Sequence, residues 1–394
     1  MKVKIFDFSL HRFSRVFIAL MLTMLVSCSE PMLLPSIDVQ RVPENGIQPR
    51  IVLDEWGDTH LLYFRAEFPD SGAYLGHLYY TRYDNKQRAW LPSARVSAEP
   101  FNYKDQIYRA NFTVGGEGRI HVVWFVDRPG RFLYTRSDIN KGNFETPRLI
   151  SGDYLDGIDA NADIASYNNR VALVWAAGDL MREDQRSVFM QQSQDYGGSF
   201  DEVVMIADSA LGACACCALS AEFNQAGELL VAYRSATDNT GRHMQQLIIN
   251  QNAHGDVQSF YQPVHALSEW EIASCPVSTN DMARDVSGAY WLVYETENQL
   301  IKQNMSDNSA PERVSVQASS TREKHPAMAF NAEGYQLIAW GEGGGFFSGG
   351  FLRLALFDAE GNAVDLPAAD DITIPDRSSV AVMMKPDGNF LVVY

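Results

Sequence analysis

Between Ile51 and Tyr394 one pattern of apolar and polar positions recurs. A short apolar run leads to a turn with Gly or Asn, and a second apolar run ends in aromatic residues. Such bounded runs predict β-hairpins. The copies are Ile51–Phe64 (turn at Gly57), Ala110–Phe125 (Gly118), Ala162–Trp175 (Asn168-Asn169) and Leu219–Tyr233 (Gly227). Val277–Tyr294 (Gly288), Ala327–Trp340 (Gly334) and Val380–Tyr394 (Gly388) follow. The turns recur about every 46 to 61 residues, the spacing of a four-stranded propeller blade. Third strands are expected at Leu78–Thr81, Phe132–Thr135, Val188–Gln191 and Leu352–Ala355, and short fourth strands at Ala94–Ser97 and Arg148–Ser151. No long helical periodicity appears after the first 27 residues. The fold expected is therefore an all-β propeller, seven blades of four-stranded antiparallel sheets over residues 37–394. Six blades with an extra hairpin is the alternative. The last hairpin lacks outer strands, and Ile37–Val42 is the segment available to supply one, which leaves a three-stranded blade.

Residues 1–27 read as a processing signal. Lys2, Lys4, Arg12 and Arg15 form a basic front and Val16–Val26 an apolar run too short to span a bilayer. Leu25-Val26-Ser27-Cys28 resembles a bacterial lipobox, which implies cleavage before Cys28 and acylation of that residue. Several acyl chains give a stable membrane anchor. Ser29 rather than Asp implies outer-membrane sorting in a Gram-negative envelope. Residues 28–36 would then be a tether of at most about 30 Å. Removing the signal takes the formal charge from −17 to −20. So acidic a surface repels nucleic acid, and no such partner is expected.

Ser193-Gln194-Asp195-Tyr196-Gly197-Gly198-Ser199-Phe200 resembles the Asp-box of bacterial-neuraminidase (BNR) repeats, with Ser193, Asp195, Gly197 and Phe200 at its fixed positions. Tyr83–Trp90 and Ser137–Phe144 are degenerate versions. The likeness implies a sialidase-like propeller. Sialidases use three arginines, a tyrosine nucleophile activated by glutamate, and an aspartate acid/base. Arg50, in Gln48-Pro49-Arg50-Ile51, keeps part of the first arginine motif, and Arg65 follows the first hairpin. Tyr233, Arg234 and Glu222 share a hairpin and are the other catalytic candidates. Glu222 also reads as an ordinary solvent-facing strand residue, and Tyr233 as a core aromatic. Basic residues lead into several inner strands (Arg50, Arg109, Lys324 with His325, and Arg377), an arc suited to an anionic ligand or equally to solvated strand ends.

Of five cysteines, Cys214, Cys216, Cys217 and Cys275 remain once Cys28 is lipidated. Cys214 and Cys275 stand at the same offset before their closing tyrosines, which places them at the starts of adjacent inner strands; Cys217 is the other counterpart of Cys275. Disulfides are the default outside the cytoplasm. The alternatives are a thiolate site for Cu or Zn and a redox pair. The Cys-x-Cys-Cys and Cys-Pro-Val segments resemble a subset of sialidase-like bacterial propellers. The glycine-rich stretch Gly341–Gly350 lacks a phosphate-loop continuation and reads as a rim loop.

The function expected is a membrane-anchored binding or scaffold propeller of the bacterial envelope, engaging an anionic glycan or envelope protein and requiring no cofactor. The alternatives are a sialidase-type glycoside hydrolase and a copper- or zinc-handling protein.

Overall fold

The computed structural model describes residues 34–394 apart from 68–74, 104–109, 127–129, 151–161, 180, 252–256, 263–269, 308, 316–320, 346 and 368–370. The signal segment, Cys28, most of the tether and Arg109 lie outside the described residues.

Four of the seven hairpin turns are written in the sequence as an Asx residue followed three positions later by glycine, at Asp54, Asn224, Asp285 and Asn331. Asp54 Oδ1 accepts from the amides of Trp56 and Asp58. Asn224 serves Ala226 and Glu228 in the same way, and Asp285 serves Ser287 and Ala289. The glycines Gly57, Gly227 and Gly288 take positive φ, which a side chain would resist. Asp84, Asp138 and Asp195 close the outer turns by the same device. At Ser193–Phe200, Ser193 Oγ donates to Asp195 Oδ1 and accepts from Gly197 N. The amide of Ser199 holds the Asp195 carboxyl down at about 2.

Each turn joins an inner strand to its neighbour, giving seven sheets. The inner strands are Ile47–Leu53, Asn111–Val114, Asp163–Tyr167, Ser220–Phe223, Asn280–Arg284, Glu323–Phe330 and Ala381–Met384, in blades 1 to 7. Each inner strand packs beside the next, and the seventh packs beside the first, so the ring closes. Successive residues of a strand face opposite neighbours. In blade 4, Leu229, Val231 and Tyr233 pack toward blade 3, whereas Leu230 and Ala232 pack toward blade 5. One apolar cluster fills each junction between blades. Fully burying each large side chain contributes roughly 1.5–3 kcal/mol, so the ring is held mainly by these seven interfaces. Among the described residues there is no α-helix.

Two sheets depart from the four-stranded antiparallel expectation. Blade 1 carries extra short strands, Ala94–Arg95 and Phe101–Asn102, on its third strand. Blade 7 has three strands, its outer one Ile37–Gln40, which pairs parallel to Phe390–Val393. The direction has a simple cause. Ile37–Gln40 leads through a short turn into the inner strand of blade 1, the connection a fourth strand makes. A fourth strand runs the same way as a second, so with the third missing the two lie side by side in parallel.

Candidate functional site

The two ends of the ring differ. At the end bearing the Asx turns, a cavity of about 490 Å³ reaches into the axis. Its walls include Val52, Thr113, Ser166 and Glu222 from the inner strands of blades 1 to 4, with Trp56, Tyr167 and Tyr196 at the turns. Glu222 is exposed within it. Glu222 faces solvent, as its strand position suggested, and because its strand is innermost that solvent is the water of the channel. Protein surrounds the carboxyl even though water reaches it. That enclosure, with Asp163 and Asp281 nearby, pushes it up to about 8 against the opposing pull of Arg50 and Arg284. Channel water, which reaches the side chain, softens that upward push.

Asp163 and Asp281 are placed by their neighbours. Asp163 Oδ2 accepts from Ala221 N of blade 4, and Asp281 Oδ2 from Met328 N of blade 6, at 2.8 Å each. Arg50 of blade 1 reaches Asp281 of blade 5 at 3.6 Å, between strands that are not neighbours in the ring. Of these groups only Glu222 lines the cavity itself; the Arg50–Asp281 pair stands near it, and Asp163 is buried with both carboxylate oxygens hydrogen-bonded to backbone amides. Sequence reasoning missed both aspartates. Asp281 stands seven positions before its turn glycine, as Asn111 does, whereas Asp163 precedes the Asn168-Asn169 turn and carries no such mark.

The remaining catalytic candidates do not join them. Tyr233 is 2% exposed, in the core between blades 3 and 4. Arg234 is 3% exposed at the opposite end of its blade. It donates to the carbonyls of Arg242 at 2.7 Å and Glu295 at 2.5 Å and to Ser278 Oγ at 3.3 Å, and it lies over the Trp270 ring. Burial lowers it to about 10, against the pull of Glu295. Arg65 pairs with Glu44 and stacks on Tyr79. Of the expected basic arc, Lys324 is turned into protein, donating to Pro276 O at 2.5 Å and Glu295 Oε2 at 3.0 Å. Arg377 lies over the Phe347 ring.

That second end carries the cysteines. Cys216 is joined to Cys275 and Cys214 to Cys217, with Cα–Cα distances of 6.0 and 5.5 Å. The partner of Cys275 is Cys216, rather than either residue that strand alignment suggested, because 215–216 form a turn that swings Cys216 toward blade 5. The bond staples the approaches to blades 4 and 5. In this oxidation state the four sulfurs offer no thiolate to Cu or Zn. Asp54, Asp58 and His60 also lie close together, but His60 bonds Tyr80 Oη at 2.7 Å and Asp54 at 2.9 Å, so both ring nitrogens are already used.

No protein-family model matches the chain, and no curated relative matches its sequence. Among solved structures it is similar to a protein of unknown function from Dyadobacter fermentans, with TM-score 0.54 and 12% identity over 82% of this chain and 97% of that one. It is similar also to a mutant Aleuria aurantia lectin in complex with Fucα1-6GlcNAc, with TM-score 0.51 and 10% identity over 84% and 96%. The Hadza microbial sialidase Hz136 aligns with TM-score 0.47 and 12% identity over 79% and 69%. At these identities the likeness is one of fold, and the fold is a seven-bladed β-propeller.

Proposed function

We propose that this chain is a lipid-anchored binding propeller of the bacterial envelope, holding a neutral polyhydroxyl ligand such as an oligosaccharide in the axial cavity. The observation that carries the reading is Glu222, open to channel water beside the Arg50–Asp281 pair that spans the ring. Paired hydroxyls both donate and accept, which suits a carboxyl pushed toward its neutral form beside a guanidinium–carboxylate pair. The cavity has the size of a small-ligand site, and Trp56 and Tyr196 supply exposed aromatic faces at its mouth. An anionic glycan is disfavoured, since Arg50 is matched by Asp281 and Lys324 by Glu295, while Asp54, Glu55 and Glu222 line the cavity. The turn at Ser193–Phe200 supports kinship with sialidase-type repeats. Sialidase chemistry is not favoured, because Tyr233 and Arg234 are committed to packing.

A second reading rests on one observation. Glu222, its carboxyl pushed up by enclosure and by the nearby Asp163 and Asp281, is one of several carboxyl groups close together, and glycoside hydrolysis by acid–base chemistry uses a pair of them. One experiment separates the two. Neutral and sialylated oligosaccharides are titrated calorimetrically into the protein, and the same mixtures are assayed for new reducing ends. Retention of neutral sugar without product supports binding; product lost on Glu222→Gln supports the hydrolase; affinity only for sialylated sugars would overturn both. Anchoring is tested by palmitate labelling, which Cys28→Ala should abolish.

A further inference from the structure

The cystine end holds more than a staple. Cys214 and Cys216 Sγ lie 3.7 Å apart although they belong to different disulfides. Neither sulfur carries hydrogen, so this is a non-bonded contact between two disulfide bonds. Cys214, Cys216 and Cys217 are 2%, 5% and 4% exposed and share one apolar cluster with Val277. Cys275 is exposed, as are Glu271, Ala273 and Ser274 before it. The Cys214–Cys217 bond spans a sequence separation of only 3. Closing so short a loop removes little freedom from the unfolded chain, whereas the bond to Cys275 spans 59 residues. Stability therefore explains the second bond well and the first poorly. What the first bond has is a position: it is the disulfide that a sulfur released at Cys216 would meet.

We propose that the two disulfides form a thiol–disulfide relay, which accepts two electrons from an external dithiol at Cys275 and passes them inward to Cys217. A thiolate of the dithiol attacks Cys275 Sγ, the reachable sulfur. The Cys216–Cys275 bond breaks, a mixed disulfide forms at Cys275, and Cys216 leaves as a thiolate. Cys216 attacks Cys214 Sγ across the 3.7 Å contact. The Cys214–Cys217 bond breaks, a Cys214–Cys216 bond forms, and Cys217 leaves as a thiolate that takes a proton from water. The second thiol of the dithiol attacks its own sulfur in the mixed disulfide and releases Cys275. The dithiol is oxidised to its disulfide; the protein ends with one disulfide and thiols at Cys217 and Cys275. Exchange of this kind runs through attack on one sulfur with the other as leaving group, and the turn at 215–216 already brings the new pair together. The product has lost its covalent link between blades 4 and 5, so the relay also reports reducing conditions as a loosened junction. This activity is independent of the ligand in the axial cavity.

The test uses the full chain and one equivalent of dithiothreitol, followed by acid quenching, alkylation and peptide mapping. The relay predicts alkylation at Cys217 and Cys275 with a Cys214–Cys216 disulfide. Alkylation at Cys216 and Cys275 with Cys214–Cys217 intact would overturn it, as would alkylation at Cys214 and Cys217. A Cys275→Ser variant checks the internal step without reductant. Its single thiol should be found divided between Cys216 and Cys217, and label confined to Cys216 would refute the transfer. If that variant does not fold, the measurement on the native chain still decides.

Discussion

Replacing both ends of the blade 4–blade 5 staple, in Cys216→Ala/Cys275→Ala, isolates what that bond contributes. The loop it closes spans 59 residues. The chain-entropy relation assigns such a loop about 14 cal/mol/K, or roughly 4 kcal/mol at 25 °C. Cys214→Ala/Cys217→Ala opens a loop of separation 3, for which the same relation gives about 1.6 kcal/mol. With an unfolding entropy of about 2.1 cal/mol/K per residue, these become losses in Tm of about 5 °C and about 2 °C for a propeller of this length. Each variant retains the other disulfide; the short-loop variant loses two buried sulfurs and the long-loop variant one buried and one exposed, so a larger loss in the long-loop variant can come only from the loop term. Scanning calorimetry at one fixed scan rate measures both. Equal losses, or a larger loss in the Cys214/Cys217 variant, would refute the reasoning that the long bond holds the ring and the short one does not.

Other consequences follow from the site and the turns. Glu222 binds its proton more tightly folded than unfolded, so it favours the folded state below the ordinary glutamate range and loses that contribution as pH rises toward about 8. Glu222→Gln should flatten the decline in urea stability between pH 5 and 8, and an unchanged slope would show that Glu222 is not the group responsible. Arg234→Ala leaves three acceptors and the Trp270 face unserved and should cost about 3–5 kcal/mol. Arg65→Ala, at a half-exposed pair, should cost under about 1 kcal/mol; denaturation midpoints rank the two. Gly197 has φ +74, and a methyl there would sit on the Tyr134 hydroxyl. Gly197→Ala should therefore cost more than the roughly 1 kcal/mol of backbone strain alone, measured in the same way.

Hairpins were legible in the chain because each is closed locally: in four of the seven an Asx side chain and a glycine three residues later determine the turn before any tertiary contact forms, and the others carry Gly118, Asn168-Asn169 or Gly388 at the bend. The bond between the Cys214–Cys217 segment and Cys275 was partly legible for a related reason, since equal offsets from Tyr233 and Tyr294 place the segments at neighbouring strand starts. Which cysteine pairs with Cys275 was not, because the turn at 215–216 breaks the strand register on which the offset relied. The site was less legible still. Arg50, Glu222 and Asp281 share no local pattern; they meet because ring closure brings the strands of blades 1, 4 and 5 round one axis. Arg234 looked like a substrate clamp for the opposite reason. An arginine after a strand-end tyrosine looks the same in sequence whether its partners are a ligand or the carbonyls of Arg242 and Glu295. The three-stranded blade 7, with its outer strand drawn from Ile37–Val42, was legible from the pattern, whereas the parallel direction of that strand was not, because hydrophobic patterning carries no strand direction.

The claim that matters most is where a ligand sits, and a crystal structure with a bound neutral oligosaccharide tests it directly. The account predicts sugar in the axial cavity, with hydroxyls within hydrogen-bond distance of Glu222 and of the Arg50–Asp281 pair. Sugar seated elsewhere would contradict it, for example in the separate cleft of about 390 Å³ lined by Gln246, Tyr290 and Met305 between blades 4 and 5.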